Sequence, residues 1–240
     1  MFGAVSMSKT DITRTVLGEA DQPGISLVDR VVKITRERIL SGEYEPGARL
    51  RLHHLAEEAG VSLIPVREAL RILEADRLVV TVPNKGARVA DLSIEDMRDL
   101  YATRILLESA ALRTARPLSR EKAESLRQTL VLMRAANEAD DRDTFLKLHR
   151  QFHFGLYAQT TSNWLSNLIE ILWNHTERYQ RLSLPARHDG AEAEHRRVLH
   201  ALEKGENENA AGAIQTHLET TARLVEDGYR AGTELRAAQA

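Results

Sequence analysis

His149 and His153 stand four residues apart in a stretch whose apolar residues recur at helical spacing. Side chains at i and i+4 share one helix face about 5–6 Å apart, within reach of one metal ion. His195 and His217 lie in two further stretches of helical pattern. Val198, Leu199 and Leu202 flank the one, and Ile214 and Leu218 the other. A single histidine in such company is more usually a hydrogen-bonded core residue. Four of them on three helices, with one pair at chelating spacing, make a metal site the competing reading. The chain has no cysteine, which removes disulfides, thiol nucleophiles, iron–sulfur clusters and thiolate zinc sites. A transition metal would have to be held by imidazole and carboxylate. The His149-to-His153 spacing is also that of zinc proteases, which place a glutamate base directly after the first histidine. Here Arg150 stands there, and four protein ligands would crowd out a catalytic water, so a metallohydrolase is a remote alternative.

A second set of residues has the chemistry of phosphate and base-edge recognition. Arg67 and Arg71 are one helical turn apart and share a face, with Arg49, Arg51, Lys85 and Arg88 on flanking segments. The arginine fork makes paired hydrogen bonds to phosphate or to guanine O6 and N7. Between Asp29 and Arg88 there are eleven basic and nine acidic side chains, so charge alone is a weak signal. An internal pair of Arg67 with Glu68 or Glu37 is the competing reading.

The elements that must carry these residues follow from periodicity. Residues 1–24 are polar and aperiodic and read as a flexible tail. Ser26 caps a helix whose stripe is Leu27, Val31, Ile34, Ile39 and Leu40. Leu52, Leu55, Ala56 and Ala59 form a short helix closed by Gly60. Pro65, tolerated in a first turn, opens a third helix with Val66, Ala69, Leu70 and Leu73 inward. Residues 78–82 and 87–89 read as strands around a turn at 83–86. Three helices and a hairpin make a winged helix-turn-helix. From Ser93 onward only helical patterns remain. They begin at the Ser93–Asp96 capping box (to about 115), at Ser119 (to about 140), at 142–158, near Asn163, at 191–204 and at 207–229, with a loop at 185–190. The predicted fold is mainly α, a winged helix over 25–90 and a six-helix bundle over 93–230. The 240 residues, 42% hydrophobic and 28% charged with net charge −2, suit two globular domains. With no apolar run of bilayer length and no signal-peptide pattern, we expect a soluble, cytoplasmic protein with no membrane partner.

Several segments carry a family resemblance: Ser41-Gly42, Pro46 through Leu50, Leu55-Ala56, Gly60-Val61-Ser62, Pro65 through Leu70, and Asn84-Lys85-Gly86. Together they resemble the GntR family of bacterial transcription regulators across about residues 26–90. The resemblance implies a recognition helix in the major groove, a wing tip in the minor groove, and a homodimer on palindromic operator DNA. Carried over by position, Ser62, Arg67, Lys85 and Gly86 are the expected DNA contacts. Leu63 and Ile64 stand where members often have a basic residue, and His53 where many have arginine. These changes imply a weaker phosphate term or an unusual operator.

Residues 100–108, Phe152-His153, Glu194-His195 and Thr216-His217-Leu218 resemble the FadR-type ligand-binding domain that follows many GntR headpieces. Its metal-binding branch holds a divalent ion, commonly zinc or nickel, with one aspartate and three histidines. His149 occupies the aspartate position, so the implied set is His149, His153, His195 and His217. Four neutral imidazoles would leave the ion at +2, which attracts an anion. Nitrogen-only ligation suits zinc, nickel or copper. The resemblance implies a small organic acid as effector, clamped by Arg104; helical position makes Asn174, Trp173 and Tyr179 candidate lining residues. The competing reading for Arg104 is a buried pair with Glu108. The expected function is a ligand-responsive regulator, usually a repressor. The alternative is a regulator whose metal site is structural or absent and whose effector is metal-independent.

Overall fold

The computed structural model describes residues 26–183 and 190–238, which divide at Asp91/Leu92 into two compact units. The proposed tail at 1–24 and most of the 185–190 loop lie outside the described residues.

The first unit is built from α1 (Leu27–Leu40), β1 (Arg49–Leu50), α2 (Leu52–Ala59), α3 (Leu63–Ala75), β2 (Val79–Val82) and β3 (Gly86–Val89). Ser26 caps α1 by accepting from the Asp29 N–H, as its position predicts. The buried faces of the three helices meet in one core. Val31, Ile34 and Ile39 come from α1, Leu55 and Ala59 from α2, and Val66, Ala69 and Leu73 from α3. The antiparallel sheet has the order β1-β3-β2, with Leu50 opposite Ala87 and Val79 opposite Val89. β1 is an addition to the predicted pair of strands. Two residues carry no periodicity, and only pairing with β3 makes them a strand. At the wing tip Gly86 has φ +82°, a conformation open to glycine at no steric cost.

The second unit comprises α4 (Ile94–Arg113), α5 (Arg120–Glu138), α6 (Arg142–Tyr157), α7 (Asn163–Ser183), α8 (Ala191–Glu203) and α9 (Asn207–Ala238). Caps from Ser93, Ser119 and Asp141 accept backbone N–H groups at the starts of α4, α5 and α6. α9 packs on α4, α7 and α8, and continues well beyond the predicted end near Tyr229. The core includes Met97, Tyr101, Leu112, Phe152, Leu156, Trp173, Val198 and Ile214. Gly155 lets α6 approach α5 closely, because a Cβ there would lie 2.5 Å from Leu126 Cδ2. None of the described helices is long and apolar enough to cross a membrane.

Candidate functional site

The four histidines converge. His149 and His153 come from α6, His195 from α8 and His217 from α9, and all four are buried. One ring nitrogen of each lies within 4.8 Å of the others. The Nε2 atoms of His153 and His195 are 3.1 Å apart. Ligands around a zinc-sized ion, at about 2.0–2.1 Å, are separated by no more than about 4 Å, so small side-chain movements would close the set on one ion. Aromatic rings surround it. Phe145 stacks on His149 with ring centroids 5.7 Å apart, Phe152 lies 5.1 Å from His195, and Trp173 lies 4.9 Å from His153. Burial, followed by the charges of the other three imidazoles and Arg104, holds His153 well below the usual histidine range. His153 is therefore neutral, the form that can ligate a metal.

Polar groups stand directly behind the rings. His153 Nδ1 is 2.9 Å from the Tyr157 hydroxyl, which donates to Glu108 Oε2. His217 Nδ1 is 2.8 Å from Glu194 Oε2. Burial and the neighbouring Glu108 charge push the Tyr157 hydroxyl well above its ordinary value, so it keeps its proton.

Arg104 is 1% exposed and donates from Nε to Glu108 Oε1 at 2.6 Å. Its guanidinium carbon lies 4.6 Å from the Trp173 ring centroid and 5.3 Å from that of Tyr101. The Arg104–Glu108 pair is present, yet Arg104 Nη1 has no hydrogen-bond partner. Two other buried polar atoms nearby share that condition, the Tyr101 hydroxyl and Gln180 Oε1. Burial raises the Tyr101 hydroxyl, and Arg104 and Gln180 partly offset the rise, which places all three groups together. Buried polar atoms left unpaired are costly, and these three stand close enough to one another to share hydrogen bonds after small side-chain movements.

In the first unit, α3 turns Val66, Ala69, Leu70 and Leu73 inward and leaves Ile64, Arg67, Glu68 and Arg71 on its outer face. Arg67 pairs with none of the described residues, so neither Glu68 nor Glu37 engages it. Ser62 is the exposed N-cap of α3, and its hydroxyl makes no capping bond. An open cleft beside α3 is lined by Arg49, Arg51, His53, Arg67, Arg71 and Gly86.

Residues 27–89 match the model of bacterial regulatory proteins of the gntR family, and residues 99–220 match the FCD domain. The chain belongs to the GntR family. It is 30% identical to the HTH-type transcriptional regulator BphR of Paraburkholderia xenovorans, over 83% of this chain and 85% of that protein. It is 31% identical to the HTH-type transcriptional repressor GlaR of Escherichia coli, over 59% of this chain and 67% of that protein. The crystal structure of a GntR transcriptional regulator from Rhodococcus sp. RHA1 superposes with a TM-score of 0.71 at 28% identity. The match covers 82% of this chain and 96% of that one. Escherichia coli McbR, at TM-score 0.74 and 23% identity over 85% of this chain and 99% of that one, shares the fold. These relatives are transcription regulators rather than enzymes. As a GntR-family regulator with a helix-turn-helix headpiece and an FCD domain, the chain binds DNA.

Within this GntR–FCD chain the positions expected from sequence fall unevenly. His149, His153, His195, His217 and Arg104 lie in one neighbourhood, with Trp173 against them. Asn174 instead uses its side-chain oxygen on Arg150 Nη1 at 3.0 Å. Tyr179 ties α7 to the start of α4, donating to Asp96 Oδ2 at 2.7 Å. Arg150, which stands where a protease would have its base, is held by Asn174 and Glu170. Tyr157, Tyr101 and Gln180 are site residues that sequence reasoning misses. Tyr157 has a local signal, since it follows His153 by four residues on one helix face. Gln180 has none.

Proposed function

We propose that this protein is a repressor that binds palindromic operator DNA as a homodimer and senses a small organic carboxylate. In this reading a divalent ion, zinc or nickel, sits on His149, His153, His195 and His217. The observation that carries it is the convergence of four buried imidazoles beside an arginine whose Nη1 is unpaired. An all-nitrogen set suits these metals and leaves the bound ion at +2. A carboxylate would satisfy the ion and Arg104 Nη1 together, with Tyr101 and Gln180 meeting further polar groups of the effector. Held there, the ion would supply a Lewis-acid contact to that carboxylate. The relatives named as repressors, GlaR and the gluconate operon repressors among them, support repression as the mode.

On the DNA side, Ser62, Arg67, Lys85 and Gly86 are the proposed contacts. The exposure of Ile64, 71%, supports an apolar base contact from the same helix face. Trp164, Leu168 and Ile171 form an exposed apolar stripe on α7, and a second copy is its proposed occupant, since a palindrome needs two headpieces. Effector binding must favour one DNA-binding state over the other to act as a signal.

A second reading is a metal-free core. The 3.1 Å contact between His153 and His195 serves equally as a hydrogen bond between neutral rings. Elemental analysis of protein purified without chelator, with melting curves at added Zn²⁺ or Ni²⁺, separates the two. Metal at about one per chain with a raised melting temperature supports the site. No metal and no shift leaves the metal-free reading. Gel-shift titration on the protein's own upstream DNA tests the regulator, and no retardation at low salt would refute it.

A further inference from the structure

The hydrogen bonds behind the imidazoles determine where their protons sit. Tyr157 has one hydroxyl proton, and it goes to Glu108 Oε2. Glu108 is held in place because its other oxygen accepts from Arg104 Nε. The Tyr157 oxygen can therefore only accept from His153, so the donor is the Nδ1–H of that ring, at 2.9 Å. A neutral imidazole has one N–H, and Nε2 of His153 is left as a bare lone pair. That lone pair faces Nε2 of His195 at 3.1 Å. His217 shows the same arrangement in a shorter form. A carboxylate oxygen of Glu194 lies 2.8 Å from Nδ1 and accepts its proton, leaving Nε2 to bind. Carboxylates or hydroxyls behind metal-bound histidines fix the tautomer and raise the basicity of the ligating nitrogen.

Resting on the metal reading above, we infer that Tyr157, braced by Glu108, is a positioning residue for the metal. It fixes His153 as the Nδ1–H tautomer and presents Nε2 to the ion, and Glu194 does the same for His217. This places a carboxylate one hydrogen bond behind His217 and two behind His153, in a chain whose four candidate ligands are all neutral. It also makes Glu108 common to both parts of the site, since one of its oxygens orients Arg104 and the other orients His153 through Tyr157. A chain that kept the four histidines and lost these partners would bind metal with rings free to flip or to adopt the other tautomer.

The test uses the full-length protein stripped with chelator. Zn²⁺ affinity is measured by competition with a chromophoric chelator, and the visible absorption of the Co²⁺ form reports ligand geometry. Tyr157→Phe should weaken Zn²⁺ binding about 10- to 100-fold and alter the Co²⁺ bands. Glu194→Gln keeps an acceptor but loses the charge, and should weaken binding about tenfold. Tyr229→Phe, which removes a hydrogen bond to the Leu92 carbonyl remote from the cluster, is the structural control. It should lower the melting temperature and leave Zn²⁺ affinity and the Co²⁺ spectrum unchanged. Melting curves in chelator confirm that each variant folds. If Tyr157→Phe does not fold, Glu194→Gln decides the matter on His217. Tyr157→Phe binding Zn²⁺ within about twofold of the parent, with the same Co²⁺ spectrum, overturns the inference. A parent that binds neither ion overturns the metal reading itself, and this inference with it.

Discussion

Removing the Arg104 guanidinium should destabilise the helical unit sharply, and removing its partner as well should restore most of the loss. Both side chains of the Arg104–Glu108 pair are essentially unexposed, at 1% and 0%. Arg104→Met keeps the packing volume but strands a buried carboxylate. Breaking a buried ion pair from one side costs about 3–5 kcal/mol, whereas replacing both partners with apolar groups is often close to neutral. Tyr157 still donates to Glu108 in the variant, which favours the low end, about 3 kcal/mol. Domains have about 5–15 kcal/mol of net stability, so this is a large fraction of the total. In Arg104→Met/Glu108→Leu only the Tyr157 hydroxyl loses its acceptor, at about 1–3 kcal/mol. The assay is urea unfolding in the presence of chelator, followed by tryptophan fluorescence. The two tryptophans, Trp164 and Trp173, both lie in the helical unit, so the signal reports that unit. The midpoint of Arg104→Met should fall with its m value unchanged, and the double variant should lie between that variant and the parent. A loss below about 1 kcal/mol in the single variant, or a double variant no better than the single, would refute the argument. Either would mean that water reaches Glu108 and that the pair is not a dry one.

On DNA, Arg67→Ala should weaken operator binding by about 1–3 kcal/mol and relax preference at one base pair, while Lys85→Ala should weaken all sequences alike and reduce the salt slope by about 1, both read by fluorescence anisotropy. If Ile64 meets a thymine methyl, replacing thymine with deoxyuridine at one operator position should weaken binding to the parent and not to Ile64→Ala; equal loss in both would remove that contact. Trp164→Asp should shift sedimentation from dimer towards monomer, and an unchanged dimer would place the interface elsewhere. Burial, then the hydrogen bond to Glu58, pushes the Tyr44 hydroxyl up to about 12. A folded-state value above the unfolded one, about 10, means that this stabilisation is complete below about pH 10 and is lost as pH rises towards about 12. Tyr44→Phe should therefore remove an absorbance step at about 295 nm near pH 12, and loss of a step near 10 would contradict the burial.

Short-range chemistry makes much of this protein legible in its sequence. Ser26, Ser93 and Ser119 announce helix starts because capping is a bond between one hydroxyl and a backbone N–H three residues on. The His149–His153 pair is legible for the same reason, since four residues of α-helix bring two side chains to one face. The outward set on α3 follows from the inward positions of Val66, Ala69, Leu70 and Leu73. Other features carry no local signal. β1 is two residues that form a strand only because β3 lies beside them. α9 runs past the end expected near Tyr229 because its last turns are helical without an apolar repeat to mark them.

Local patterning alone is enough to show two units of different kind, arginines on the outer face of the third helix, and a supply of neutral nitrogen ligands with no sulfur to compete. Periodicity and spacing do not say that His195 on α8 and His217 on α9 meet the α6 pair, which only the family resemblance implied. Their separation in the chain is bridged only by helix packing, including the close α5–α6 approach at Gly155. Nor can periodicity choose between Trp173 and Asn174, adjacent residues whose directions depend on the rotation of α7 against its neighbours. Tertiary structure alone put Trp173 against Arg104 and the imidazoles and turned Asn174 to Arg150. It also showed that the Arg104–Glu108 pair and an unpaired Nη1 coexist. A guanidinium has several N–H groups, and the pair does not occupy them all.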